Sequence, residues 1–197
     1  VTVHPSLGTK DLRSFIALLK ANPGKYNYAS SGVGTTLHIG AEHFIRSAGI
    51  QAQHVPYKGE APAMVDLLSG QVAFMVGQAS TAVQYVRSAR LLGLGVTTPS
   101  RVRSASEIPT VSESGMPGFS AYGWNAVLVP KGTPRAIIER LNREINAVVT
   151  GPEVQKGFTE MGLDNLDPVS PEGAGAFIAA ETAKWAPVIR GAGIKGD

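Results

Sequence analysis

Residues 26–36 read Tyr-Asn-Tyr-Ala-Ser-Ser-Gly-Val-Gly-Thr-Thr, and an amphipathic run follows over residues 37–48. Two similar units come next, at residues 54–69 and 72–89, each with a short apolar run, a loop and a helical run. Strands that alternate with helices predict an α/β fold, in which loops that open helices share the ligand-binding edge of a parallel sheet. Backbone N–H groups at the start of a helix can hold a carboxylate or phosphate. The stretch therefore predicts an anion-binding cleft.

The composition limits the classes of protein to which the chain can belong. Hydrophobic residues make up 43% and charged residues 17% of the 197 residues, which is typical of a folded globular protein. No apolar run approaches the ~20 residues needed to span a bilayer. The net charge is +3, but Lys and Arg are scattered in runs no longer than two, so we expect no nucleic-acid partner. The absence of Cys excludes disulfides, thiolate metal ligands and Cys nucleophiles.

Capping and turn residues indicate further elements around these three units. Thr9 is a candidate N-cap for the first helix. Residues 121–129 read Ala-Tyr-Gly-Trp-Asn-Ala-Val-Leu-Val, which predicts a strand. Thr133-Pro134 predicts the N-cap and first residue of a long helix, and Ser170 precedes a last helix that extends to about Arg190.

A metal site is one alternative to an anion cleft. His38, Glu42 and His43 lie close together in the sequence, but their order is not that of the His-Glu-x-x-His zinc motif. At 3.6 residues per turn, His43 also points about 100° away from the helix face that His38 and Glu42 share. We therefore expect neither a metal nor a cofactor.

A small hydrolase is the second alternative. Ser30 or Ser31 could act as the nucleophile if His54, which precedes the neighbouring loop, approached as its base. Nothing near these serines matches the Gly-x-Ser-x-Gly motif of a strained nucleophile turn. An enzyme that uses Ser31 and His54 therefore remains the alternative hypothesis, together with a sensor or interaction module.

Several motifs, in order along the chain, resemble one family. Residues 27–35 read Asn-Tyr-Ala-Ser-Ser-Gly-Val-Gly-Thr, and residues 54–72 contain His-Val-Pro-Tyr-Lys-Gly-Glu-Ala-Pro-Ala-Met-Val-Asp-Leu-Leu-Ser-Gly-Gln-Val. Both segments are similar to the substrate-binding receptors of tripartite tricarboxylate transporters, the Bug family. The similarity continues through Ile108-Pro-Thr-Val, Glu113-Ser-Gly-Met-Pro-Gly-Phe, Trp124, Pro130-Lys-Gly-Thr-Pro, Lys184-Trp185 and Ala192-Gly-Ile-Lys. Because it covers essentially the whole chain in order, the resemblance is highly specific.

The resemblance implies a non-catalytic periplasmic receptor of the type II solute-binding fold, whose signal peptide is not in this chain. Such a receptor holds a small carboxylate (a di- or tricarboxylate, an amino acid or an aromatic acid) largely through backbone amides and ordered waters. It delivers the solute to the membrane components of a tripartite tricarboxylate transporter. Carried over by position, the ligand-binding residues are Ser30, Ser31, Gly32, Gly34, Thr35, Tyr57, Lys58, Gly59, Gly77 and Gln78. Gly77 and Gln78 depart from the pattern of many relatives, which leaves the identity of the ligand open.

The resemblance also implies a division into domains. Residues 1–120 would form a complete ligand-binding α/β domain, the second domain of the family, and residues 121–129 an interdomain crossing strand. Residues 130–197 would be the C-terminal helical part of an incomplete first domain, because relatives begin with a longer segment that contributes the first strands of that domain. We expect the apolar helix faces of residues 130–197 to make the chain self-associate.

Overall fold

A computed structural model of the protein describes residues 1–160, 163 and 167–194. The chain divides into two compact units. The first unit contains Val1–Tyr122 and the described residues of Val188–Asp197, and the second unit is Gly123–Pro187. Within the described ranges, no helix combines the length and the apolar character that a membrane span requires.

Five strands form one sheet in the first unit. They are β1 (Thr2–Val3), β2 (Asn27–Ser30), β3 (Gln53–Pro56), β4 (Phe74–Met75) and β5 (Leu92–Gly93). Their order is β3-β2-β4-β1-β5, in which β2 is parallel to β3 and β4, whereas β1 is antiparallel to β4 and β5. The parallel centre confirms the predicted strand–loop–helix units, because parallel neighbours require a crossover that a helix supplies.

Four helices belong to the first unit and follow its strands in sequence. They are α1 (Leu12–Ala21), α2 (Thr36–Ala48), α3 (Glu60–Leu68) and α4 (Ala79–Arg87). Short 3₁₀ turns occur at Pro5–Leu7 and Arg103–Ala105. The later helices are α5 (Arg135–Val149), α6 (Pro152–Glu160) and α7 (Pro171–Gly191).

Helix α1 begins later than the sequence suggests. Asp11 is its N-cap: the Asp11 carboxylate accepts the Ser14 N–H at 2.7 Å, and the Ser14 hydroxyl accepts the Asp11 N–H at 3.1 Å. Thr9 is buried, and its hydroxyl has no hydrogen-bond partner among the described residues. The predicted cap at Thr9 is wrong because a reciprocal capping box satisfies two helix N–H groups, and a carboxylate accepts the stronger bond.

The core of the first unit is built on aromatic rings. Phe15 of α1 meets Phe74 of β4 edge to face, with ring centroids 5.2 Å apart, and Tyr28 of β2 lies 5.6 Å from Phe74. All three side chains are fully buried. Burying a side chain as large as Phe contributes about 1.5–3 kcal/mol, so these contacts fix β2 and β4 in the centre of the sheet.

Residues 121–129 are not a strand, which corrects the sequence prediction. The Ala121 N–H donates to the Thr97 carbonyl at 2.7 Å, but the described chain provides no sheet pairing further along the segment. Alternating apolar residues favour extended backbone, whereas a strand also needs a neighbour that accepts its N–H groups. Val127 and Leu128 are 73% and 77% exposed. The role of this segment as a crossing between domains stays a prediction.

Helix α5 has the predicted apolar periodicity, but none of its residues is buried in the part of the chain that the structure describes. It begins at Arg135 after an N-cap at Pro134, one residue later than expected. Thr133 does not cap it, because the Thr133 hydroxyl donates to the Pro130 carbonyl at 2.8 Å instead. Within the second unit, Arg135 joins α5 to α7 through an ion pair with Glu172 at 2.9 Å.

Candidate functional site

Three loops lie at the carboxyl ends of the parallel strands. We call residues 31–35, 57–59 and 76–78 the first, second and third loops; they follow β2, β3 and β4 and precede α2, α3 and α4. The Tyr57 N–H donates to the Ser30 carbonyl at 3.0 Å, and the Gly59 N–H donates to the Ser31 carbonyl at 3.1 Å. The first and second loops are therefore in direct contact, as the pairing of β2 with β3 requires.

Two glycines shape the first loop. Gly32 has φ +135° and Gly34 has φ +75°, values that residues with a Cβ rarely adopt. A Cβ added to Gly32 would also lie 3.4 Å from the Tyr57 carbonyl of the second loop. The backbone conformation thus favours Gly at both positions, and at Gly32 the neighbouring loop lies at van der Waals distance as well.

Thr35 closes the first loop and caps α2. Its hydroxyl donates to the Gly32 carbonyl at 2.8 Å, while it accepts the Ser31 hydroxyl at 3.0 Å and the His38 N–H at 3.4 Å. All the hydrogen-bonding capacity of a hydroxyl, one donor and two acceptors, is used within the protein. The Thr35 hydroxyl therefore stabilises the conformation of the loop and has no hydrogen-bonding position left for a solute.

Free backbone donors lie at the start of α2. The N–H groups of Val33, Thr36 and Leu37 donate to no residue in the described part of the chain. Val33 and Thr36 are exposed. The first N–H groups of a helix have no intrahelical acceptor, and the helix dipole makes this end attractive to anions. The sequence predicts an anion site from backbone N–H groups at this helix start, but it does not single out these three residues, which the residue types alone do not mark.

Two of the predicted site residues use their polar groups in bonds within the protein. The fully buried Ser30 hydroxyl lies 2.7 Å from His54 Nε2, and it accepts the Gly32 N–H at 3.2 Å. The Gly34 N–H donates to His38 Nδ1 at 3.1 Å. Neither the Ser30 hydroxyl nor the Gly34 N–H is therefore free to face a solute in this conformation. The sequence suggested other roles for the two His residues that hold them: His54 as a possible base for these serines, and His38 as a possible metal ligand.

His38 and His54 form a stacked pair behind the first loop. Their ring centroids are 3.9 Å apart with an interplanar angle of 6°, and Tyr28 stacks on His54 at 4.9 Å. Burial lowers the pKa of His38. The pKa of His54 is lowered to about 4, mainly by burial and secondly by the charge of the nearby His38. Glu42, which accepts the Tyr28 hydroxyl at 2.6 Å, opposes both shifts but does not overcome them. Both imidazoles are therefore neutral at neutral pH.

The second loop carries a fixed Tyr and an exposed Lys. The Tyr57 hydroxyl donates to the Asp66 carboxylate at 2.6 Å, and burial together with this bond raises the pKa of Tyr57 to about 12. Lys58 is exposed and forms no ion pair with the described residues. Gly59, with φ +110°, is the N-cap of α3 and provides no side-chain cap. Lys58 is thus a positive charge beside the first loop, as expected for a site that attracts anions.

The third loop is occupied by a carboxylate of the protein itself. Glu60 Oε1 accepts the Gln78 N–H at 2.9 Å and the Thr81 hydroxyl at 2.7 Å, at the start of α4. A Cβ added to Gly77 would lie 3.0 Å from the same oxygen. Because Glu60 already supplies a negative charge to this helix N-terminus, a second carboxylate would be repelled there. Sequence reasoning missed Glu60, whose partners are about twenty residues away.

The contacts do not form the catalytic arrangement that a hydrolase using Ser31 and His54 would need. His54 lies against Ser30, whereas the Ser31 hydroxyl donates to Thr35. Ser30 has no exposed surface, and no carboxylate in the described ranges hydrogen-bonds to His54 to orient it. Nor do the described residues contain a group of three or more His, Asp or Glu side chains arranged to hold a metal ion.

Comparison with known proteins identifies the family. Residues 1–194 match the TctC family, whose description is tripartite tricarboxylate transporter family receptor. The chain belongs to this family. The match confirms the resemblance found in the sequence, and the TctC family consists of solute-binding receptors, which are not enzymes.

Three similar proteins extend this result. BugT of Bordetella pertussis is 36% identical over 195 residues, which cover 99% of this chain and 60% of that protein. A UPF0065 protein from the tcbD-tcbE intergenic region of Pseudomonas sp. (strain P51) is 35% identical over 181 residues, which cover 91% of this chain and 54% of that protein. The structure of R. palustris Rpa4515 with adipate matches with a TM-score of 0.80 and 30% identity, over 98% of this chain and 64% of that chain. This TctC chain has the mixed α/β fold of solute-binding proteins, but it spans less than two thirds of each relative.

Proposed function

We propose that this protein is a periplasmic receptor that binds a small carboxylate at the first loop and delivers it to the membrane components of a tripartite tricarboxylate transporter. Membership of the TctC family supports the receptor class. The adipate in the structure of R. palustris Rpa4515 supports a carboxylate as the solute. Neither the hydrolase nor the sensor hypothesis is favoured by a specific contact.

The observation that carries the proposal is the set of free N–H donors at the start of α2. Val33, Thr36 and Leu37 each offer a backbone N–H that no described residue accepts. Hydrogen bonds to a charged group contribute about 1.5–3 kcal/mol each, and a helix N-terminus adds a favourable field. A carboxylate here needs no bound metal or cofactor.

The predicted ligand-binding residues divide into three groups in this proposal. Five of them lie on the first and second loops, around the free N–H donors: Ser31, Gly32, Tyr57, Lys58 and Gly59. Ser30, Gly34 and Thr35 have their polar groups engaged within the protein and maintain the loop. Gly77 and Gln78 lie on the third loop, where Glu60 disfavours a second carboxylate. We therefore expect the two ends of a dicarboxylate to bind differently.

The sharpest test removes one N–H group. Thr36 is the first residue of α2, a position at which Pro is well tolerated, and Thr35 at φ −71°, ψ 161° already has the conformation that precedes Pro. Thr36→Pro deletes the donor, whereas Thr36→Ala keeps it and removes only the side chain. With protein expressed from its complete gene, a thermal-shift panel of small carboxylates that includes adipate would first identify a binder. Calorimetry would then compare the two variants with the wild type.

We expect Thr36→Pro to weaken binding by at least about tenfold, the effect of one charge-assisted hydrogen bond, and Thr36→Ala to bind like the wild type. Equal affinities for all three proteins would place the carboxylate elsewhere. A panel in which no carboxylate binds would contradict the proposed solute class.

The finer partnerships are part of the same proposal. Delivery to membrane components is supported by membership of the TctC family, and it would appear as loss of carboxylate uptake when the gene is deleted. Self-association of the 197-residue chain stays a prediction, which is consistent with the exposure of Ile137, Leu141 and Val148 on α5.

A further inference from the structure

His38 occupies a position from which it can control the first loop. It lies in the first turn of α2, is 6% exposed, and accepts the Gly34 N–H through Nδ1 at 3.1 Å. Gly34 is four residues earlier, so the ring reaches back across one helical turn to the loop. An imidazole that accepts through Nδ1 in its neutral form carries its proton on Nε2.

The second ring of the pair holds the other end of the same loop. His54 Nε2 lies 2.7 Å from the Ser30 hydroxyl, at the point where β2 ends. Since the two rings are stacked at 3.9 Å, they form one rigid support that reaches both Ser30 and Gly34. Between these two points the chain carries Gly32 and Val33, and just beyond them are the free N–H groups of Thr36 and Leu37.

Burial favours the uncharged form of both rings in this support, against the opposing influence of Glu42. Tyr28 of β2 and His54 of β3 face His38 with their rings, and Glu42 lies one turn further along α2. Arg46 lies 3.5 Å from Glu42 and partly neutralises it. Two imidazolium groups at this separation would repel each other strongly in a buried site.

We propose that His38 is a positioning residue: its neutral Nδ1 holds the Gly34 N–H, and this bond keeps the donors of Val33, Thr36 and Leu37 turned outward to the carboxylate. The proposal deepens the proposed function and rests on it for the identity of the ligand. Protonation of His38 would place an Nδ1–H against the Gly34 N–H, and two donors cannot share a hydrogen bond. The shape of the loop is therefore coupled to the protonation of one buried ring.

Two substitutions separate positioning from simple packing. His38→Asn keeps a hydrogen-bond acceptor, the side-chain carbonyl oxygen, near the position of Nδ1 but cannot titrate. His38→Leu fills the space and has no acceptor. If His38 only packs, Leu should replace it at least as well as Asn.

The first measurement needs no ligand. In protein labelled with ¹⁵N-glycine, the Gly34 amide resonance can be assigned by its loss in Gly34→Ala. In the wild type, we expect this resonance to shift as the pH is lowered, with the same midpoint as the His38 ring protons. In His38→Asn the resonance should lose this pH dependence. In His38→Leu it should already have a different chemical shift at neutral pH. A Gly34 resonance that ignores His38 titration in the wild type would overturn the coupling.

The second measurement is affinity for the carboxylate found in the panel. We expect His38→Leu to bind about fivefold or more weakly at neutral pH, the order expected for one hydrogen bond, and His38→Asn to recover most of the loss. Equal affinities in both variants would refute a positioning role even if the Gly34 resonance were coupled. Loss of binding in Thr36→Pro alone, with both His38 variants unchanged, would leave the proposed function standing and refute this inference.

Discussion

The two units of the protein have equally regular helices but differ in what their apolar faces contact. In the first unit, Phe15 of α1 and Phe44 of α2 are fully buried. In the second unit, α5 has an apolar stripe of the same periodicity, yet Ile137 and Leu141 are 49% and 40% exposed. Periodicity therefore identifies the face of a helix that is suited to burial, whereas burial itself depends on a surface that the local sequence does not describe.

The largest expected effect breaks the core of the first unit. Phe74→Ala removes a fully buried ring that contacts Phe15 and Tyr28, and we expect it to lower the free energy of unfolding by about 3–5 kcal/mol. Leu141→Ala on α5 also truncates a large apolar side chain, this time in the second unit, and because Leu141 is 40% exposed it should cost less than about 1 kcal/mol. Urea unfolding of the 197-residue chain at low concentration measures both.

A large cost for Leu141→Ala would show that the face of α5 is covered in solution. If that cost appeared only at high protein concentration, the covering surface would be a second copy of the chain, as the predicted self-association requires. A large cost at every concentration would instead mean that the contrast between the two units is wrong.

The parts of the fold that sequence reasoning found depend on local pattern. Residues 26–89 alternate apolar strands, small-residue loops and amphipathic helices, and the three units and their shared edge follow from that order. Residues 121–129 show the limit: their alternation is genuine, but a strand requires a partner that local pattern does not reveal. The choice between the neighbouring caps Thr9 and Asp11 is likewise decided by which of them finds a reciprocal partner, as Asp11 does in Ser14.

The candidate site was predictable in position but not in detail. The first loop was found because Gly32 and Gly34 stand between a strand and a helix. The inward contacts of Ser30 and Gly34 could not be found, because they depend on how the rings of His38 and His54 stack across two elements. Glu60 is a similar case, since its bond to Gln78 crosses from α3 to α4 and no spacing rule anticipates it.

A second, smaller effect is the dependence of the stability of the first unit on pH. The pKa of His54 is about 4 in the folded protein against 6.5 for an unperturbed His, so below pH 6.5 the unfolded chain takes up a proton that the folded chain does not. The first unit should therefore be fully stable above pH 6.5 and lose stability as the pH falls from there towards 4. His54→Gln keeps a side-chain N–H near the Ser30 hydroxyl and removes the titration.

Urea midpoints at pH 7 and pH 5 provide the measurement. We expect the midpoint of the wild type to fall more between these values than that of His54→Gln, and the decrease to follow probes in the first unit. The Gly34 amide resonance, observed in protein labelled with ¹⁵N-glycine, reports on the unfolding of that unit. An identical decrease in both proteins would mean that His54 titrates normally in the folded state.

The smallest expected effect concerns ion pairs between exposed side chains on the surface of the second unit. Arg135 Nε lies 2.7 Å from Glu139, and Arg135 Nη2 lies 2.9 Å from Glu172 of α7. These hydrogen bonds raise the pKa of Arg135, and the pKa of Glu172 is lowered by its own backbone N–H and then by Arg135. All three side chains are more than half exposed, so water and salt screen their attraction.

Arg135→Gln should therefore produce a slight decrease in the stability of the second unit at low salt, and the decrease should vanish near 1 M NaCl, where the Debye length is about 3 Å. Arg143→Gln is the control on the same helix, because among the described residues Arg143 pairs with its neighbour Glu144 alone, at 3.5 Å, and with no second helix. We expect Arg143→Gln to have no measurable effect at either salt concentration. A loss in Arg135→Gln that persists in high salt would show that the α5–α7 contact depends on packing of the Arg135 stem, and the second unit would then be more like the first than its exposed helices suggest.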